Sequence, residues 1–153
     1  MGDHTWIDYD DCSKTICIDA QNFDWLIILR QAIDALINDQ ITEINFLDFE
    51  NTRADNISLF TLNRVAEKKK TRFWWLFDRE VRLNWFIDQS GKLNAIWSQD
   101  VEQLITTACL IDRLLEIDSS GHQYLAPESD ELTIVLAYKE QIATRPLCNS
   151  PEL

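Results

Sequence analysis

The sequence predicts an α+β domain, a mainly antiparallel sheet with two amphipathic helices packed on one face. Apolar residues recur at helical spacing over about 22–39 and again over about 99–117. They alternate with polar residues over 73–87, the pattern of a strand with one face buried and one wet. Short β-rich runs bounded by turn formers fill most of the remainder. The chain has 153 residues, which suits one domain with one core.

The first elements read as a hairpin. Thr5–Asp10 and Thr15–Ala20 are β-rich and flank the turn formers Asp11, Cys12, Ser13 and Lys14. The first helix follows, with Asn22 as N-cap and Asp24 in the favourable first turn. Phe23, Leu26, Ile27, Ile33 and Ile37 line its core face, and Trp25, Ile28, Leu29 and Leu36 widen it. Ile41–Phe49 reads as a strand buried on both faces, and 50–56 as a polar loop. Ile57–Ala66 reads as a strand from the alternation of Phe60 and Leu62 with Thr61 and Asn63, a short helix capped by Asn56 being the alternative.

Glu67–Thr71 is an exposed turn. From Phe73 to Ile87 the odd positions are apolar but for Arg79, and the central even positions are Asp78, Glu80, Arg82 and Asn84. That length demands a bend near Asp78–Glu80. Asp88–Gly91 is a hairpin loop in which Gly91 supplies a positive φ, and Lys92–Trp97 is the returning strand. The second helix takes Ser98 as cap and buries Val101, Leu104, Ile105, Ala108, Ile111 and Leu115. Residues 118–121 end it. His122–Leu125 is extended, Glu131–Lys139 is the last strand, and 144–153 is a loose tail. The domain therefore covers 1–143.

The two helices echo each other at an offset of 78, where Gln21, Leu26, Ile27, Ile33, Asp34 and Leu36 match Gln99, Leu104, Ile105, Ile111, Asp112 and Leu114. The echo allows two strand–helix–strand halves, 1–60 and 92–143, joined by a β-rich middle. Duplication and similar packing roles both account for it.

Charge narrows the function classes. The net charge is −12 and unevenly spread. Residues 1–60 hold twelve acids and three bases, 61–92 four acids and eight bases, and 93–153 ten acids and three bases. An acidic chain repels nucleic acid and anionic membranes and associates fast with basic partners. The basic residues Arg64, Lys68, Lys69, Lys70, Arg72, Arg79 and Arg82 interleave with Trp74, Trp75 and Trp85, as single-strand binders do. The odd-numbered aromatics are committed to the core, however, and the surrounding negative charge opposes a polyanion. The apolar runs are too short to span a bilayer, and the polar start at Met1–His4 lacks a secretory signal. A cytoplasmic protein with reduced thiols is expected, with Cys17 and Cys109 as small core residues.

Catalytic motifs are scarce. Three glycines, at 2, 91 and 121, cannot build a phosphate-cradling loop, and two histidines cannot build a three-histidine zinc site. No cofactor is expected. A nucleophilic site would have to use His122 with nearby carboxylates or Cys109, while local hydrogen bonding after the helix explains His122 more simply. The carboxylates Asp8, Asp10 and Asp11 lack the spacing of a calcium loop. Six tryptophans are many for this length, and an exposed one could anchor a protein partner. Trp6, Trp74 and Trp97 are the candidates, with Asp8, Asp10 and Asp11 as the acidic surround.

Residues 91–139 run strand, helix, Gly121-His122-Gln123-Tyr124-Leu125 and closing strand. This stretch resembles small uncharacterised bacterial α+β proteins, some described as immunity proteins of toxin systems. The resemblance implies a non-enzymatic acidic protein that inhibits a basic toxin or nuclease. An enzyme or ligand-binding protein using His122, and a structural subunit of a homo-oligomer, are the other two classes.

Overall fold

A computed structural model describes residues 4–66, 83–117, 120–125 and 132–139. The fold is α+β. The order is β1 (Thr5–Asp10), β2 (Thr15–Ala20), α1 (Phe23–Ile37), β3 (Glu43–Asn45), a 3-10 turn (Phe46–Asp48), β4 (Thr52–Arg53), β5 (Ile57–Arg64), β6 (Leu83–Ile87), β7 (Leu93–Gln99), α2 (Val101–Ile117), β8 (Gly121–Tyr124) and β9 (Thr133–Tyr138).

Local chemistry sets most boundaries. The β1–β2 turn is held by Asp10, whose carboxylate accepts from Cys12 N (3.1 Å) and Ser13 Oγ (2.8 Å), while Lys14 takes the left-handed conformation. Asn22 caps α1, its Oδ1 accepting from Asp24 N at 2.8 Å. At the other end Asp39 turns left-handed, and Arg64 donates to the carbonyls of Leu36 (3.0 Å) and Ile37 (2.8 Å). A cation thus meets the orphan carbonyls at the negative end of the helix.

Two expectations change. The strand expected over Ile41–Phe49 is only Glu43–Asn45. Asn45 Oδ1 accepts from Leu47 N at 3.1 Å and turns the chain into the 3-10 segment, a side chain outcompeting the ladder for a backbone donor. The cap of α2 is Asp100 rather than Ser98. Asp100 Oδ1 accepts from Gln103 N (2.9 Å) and Gln103 Oε1 accepts from Asp100 N (3.0 Å), a reciprocal capping box. Ser98 stays in β7, which runs to Gln99. The ambiguous 57–66 stretch is a strand, β5, to Arg64. The β6–β7 hairpin has Gly91 at φ 83°. Of the alternating run expected over 73–87, the described part is β6, and 73–82 lies outside the described residues.

The strands form two mixed sheets. Sheet A has the order β4-β1-β2-β9-β8 and sheet B the order β3-β5-β7-β6. In sheet A, β1–β2 and β8–β9 are antiparallel, while β2–β9 and β1–β4 are parallel. In sheet B, β6–β7 and β3–β5 are antiparallel around the parallel pair β5–β7. Each sheet therefore draws strands from both halves of the chain. The helices pack on each other, α1 also against β2, β3 and β5, and α2 against β7 and β8. Leu26, Leu29, Ile33 and Leu36 of α1 and Leu104, Ala108, Ile111 and Leu114 of α2 are buried in one continuous core. Arg30 ties the helices, with Nε 2.8 Å from Asp112 Oδ1 and an ion pair to Asp34. Phe46 stacks on Phe60 at 4.3 Å between centroids and 16° between planes.

Candidate binding surface

Period-two geometry sorts the candidate residues by face. On β1, Thr5, Ile7 and Tyr9 point into the core, which leaves Trp6, Asp8 and Asp10 on the outer face of sheet A. On β2, Ile16, Ile18 and Ala20 point inward, leaving Thr15, Cys17 and Asp19 outward. The register then builds rows across the face. Trp6 pairs with Asp19 on one side and Arg53 on the other, and Asp19 pairs with Ala137, itself opposite His122. The next row is Asp8, Cys17, Val135 and Tyr124, and the third is Asp10, Thr15 and Thr133. Residues distant in sequence thus share one side of the sheet, on which Cys17 and Ala137 in the middle are buried. Trp6 is 38% exposed and Tyr124 51%. Asp19 Oδ1 accepts from Gln21 Nε2 at 2.6 Å.

The other candidates part company with this face. Trp97 is 3% exposed, because it lies on the inner side of β7 with Leu93 and Ala95, so it is a core residue and no surface anchor. Trp74 lies outside the described residues. Asp11 sits in the β1–β2 turn, where its carboxylate accepts from Tyr9 Oη (3.0 Å) and Lys14 Nζ (2.7 Å). Those two donors hold the Asp11 carboxyl below the usual carboxylate range, Lys14 contributing most. Burial, and then Asp11, raises the Tyr9 phenol. Asp11 organises the turn.

His122 and Cys109 do not meet. A Cβ added at Gly121 would touch Leu114 Cδ2 at 3.5 Å, so the Gly121 side of β8 faces α2. His122 and Tyr124 therefore face away from the helix that carries Cys109, with the strand between them. The His122 ring stands edge-on to Tyr124 at 5.4 Å. The nearest carboxylate in its row is Asp19, two strands away, roughly 10 Å by strand spacing. Cys109 is an exposed free thiol, against the core position expected for it, because it falls on the solvent side of α2 one residue past Ala108. Cys17 is a buried thiol outside any disulfide, and Cys12 is disulfide-bonded.

A recess of about 270 Å³ is lined by Asp39, Ile41, Thr42, Arg64, Val65 and Ala66. Its one strong cation, Arg64, is spent on the α1 carbonyls. Among the described residues no cluster of three or more His, Cys, Asp or Glu side chains is placed to hold a metal ion, and no helix is long and apolar enough to cross a membrane.

No family model, curated protein or solved structure matches the chain. The surface has to be read from its own chemistry. Two of its residues, Asp19 and Tyr124, were missed in the sequence. The alternation along β2 could have pointed to Asp19, since Ile16, Ile18 and Ala20 form the inward series. Nothing local points to Tyr124, which joins the face only through the β8–β9 pairing.

Proposed function

We propose that the protein is a non-enzymatic acidic binding protein whose partner presents a basic surface, in the manner of an immunity-type inhibitor of a basic toxin or nuclease. The observation that carries this reading is the outer face of β1. There an exposed Trp6 shares one side of a strand with Asp8 and Asp10, and Asp19 lies directly across from the Trp. An aromatic anchor ringed by charge is how interfaces concentrate affinity, and a net charge of −12 steers a cationic partner toward it. Nucleic acid is disfavoured by the same charge. A cytoplasmic location belongs to the proposal: the reduced thiols of Cys17 and Cys109 support it, and the disulfide at Cys12 bears against it.

The test uses the intact chain as bait in lysate of its source organism, beside a Trp6→Ala chain and a D8N/D10N/D19N chain. The expected partner is basic, is held by the intact chain, and binds each variant at least about tenfold more weakly. Its affinity falls as salt rises. A partner that binds all three chains alike, or binds indifferently to salt, removes the proposal.

A self-associating structural subunit is the second reading. It is favoured by Phe86 on β6, 59% exposed, on the same face of its sheet as Ile96 on β7, 37% exposed. Light scattering over a concentration series decides it, and a monomer at every concentration ends it. The enzyme reading through His122 has lost Cys109 as a partner on geometry.

A further inference from the structure

We infer that the chain is two ββαββ units joined end to end and interlocked, the opening hairpin of each being extended into a sheet by the last two strands of the other. The first unit is β1, β2, α1, β3 and β5, and the second is β6, β7, α2, β8 and β9. Sheet A contains the series β1-β2-β9-β8 and sheet B the series β6-β7-β5-β3. Exchanging first-unit strands for second-unit strands turns one series into the other. The pairing senses agree throughout, antiparallel at the opening hairpin, parallel at the exchange and antiparallel at the last pair. Sheet A adds only β4, at its edge.

The side chains follow the same exchange. Leu26, Ile33 and Leu36 and their counterparts 78 residues on, Leu104, Ile111 and Leu114, are all buried. The caps Asn22 and Asp100 are also 78 apart. Asp34 and Asp112 occupy equivalent places, and both bind Arg30 at the helix contact. The opening strands β1 and β6 keep this offset, but β2 and β7 drift by one. Asp19 faces outward, but Trp97, 78 residues on, faces inward. The first unit has one more residue between its last inward strand side chain and its cap, Gln21 between Ala20 and Asn22, where Gln99 adjoins Asp100. The Gln21–Gln99 match in the sequence is therefore accidental, and the helix matches are structural.

A geometric consequence tests the inference. Trp6 and Ala137 both pair with Asp19, so the start of β1 and the end of β9 lie two strands apart, roughly 10 Å. Leu83 and Leu62 both pair with Trp97, so the start of β6 and the end of β5 are related in the same way. The order of the units in the chain is then immaterial to the fold. A permuted chain, with Leu153 joined to Met1 and new ends between Lys70 and Thr71, has ample connection for that span at about 3.3–3.6 Å per residue. It is expected to keep the far-ultraviolet circular dichroism of the parent and a Tm within about 5 °C. In a second experiment, the full-length protein carries a protease site between Lys70 and Thr71 and is cut after folding, in reducing buffer. The two pieces are expected to co-elute in gel filtration at micromolar concentration and to melt together. A permutant without native circular dichroism, or pieces that part or melt separately, overturns the inference.

Discussion

Single residues show where charge is structural. Arg30 touches Asp34 and Asp112 from a half-buried position, so Arg30→Met should lower stability by about 1 kcal/mol in urea unfolding, the scale of a partly exposed ion pair. Asp88 has a different task. Its carboxylate accepts from the backbone of Ser90 (3.0 Å) and Lys92 (3.0 Å) and from the side chains of Ser90 (2.6 Å) and Asn94 (3.1 Å), tying the β6–β7 loop. Those donors, the Ser90 hydroxyl first, hold its carboxyl far below the ordinary range. A depressed folded-state value means stability that is present above about pH 4, where the unfolded carboxyl ionises, and is lost as pH falls further. The urea midpoint of the native chain should drop between pH 5 and pH 3, and Asp88→Asn should start lower at pH 7 and drop less. Equal drops in the two chains would exclude Asp88 as the source. The tryptophans show the limit of residue-level reading: Trp6 and Trp97 are alike in composition, and only strand phase separates a surface anchor from a core residue.

At the scale of elements, the caps and the helix pair carry the predictions. Asp100→Ala removes an acceptor and unmakes the reciprocal box at α2, and should cost about 1 kcal/mol, as should Asn22→Ala at α1. Circular dichroism during urea unfolding checks both. Ile33→Ala and Ile111→Ala each open a cavity at the helix contact, with an expected loss of about 2–5 kcal/mol apiece. Helices, hairpins and β5 were legible because their periodicity is local. The truncation of the Ile41–Phe49 strand was not, because a hydrogen bond from Leu47 N to Asn45 Oδ1 outranked the apolar pattern that surrounds it. The capping residue of α2 shifted from Ser98 to Asp100 because two competent caps stand two residues apart, and the parallel pairing with β5 keeps Ser98 in the strand.

At the scale of the molecule, the two sheets and the single core make the halves interdependent, so unfolding should be one cooperative transition by circular dichroism and by tryptophan fluorescence. Trp6→Ala should leave that transition within about 0.5 kcal/mol of the native chain while weakening partner binding, because the ring stands on the outer face. A large stability loss would mean that Trp6 serves the fold. The candidate face exists only at this scale. Trp6, Asp19 and Tyr124 come from three strands, and sequence separation hides them from one another.

The sequence by itself determined the fold class, the hairpins, both helices and the acidic character, because backbone propensity, turn chemistry and side-chain period act over a few residues. The tertiary structure alone decided that the strands divide into two mixed sheets, that Trp97 is inside and Trp6 outside, and that β8 separates His122 from Cys109. Those outcomes depend on which strands pair and in what register. Pairing is chosen by burial summed over the whole chain, and no local window contains that sum.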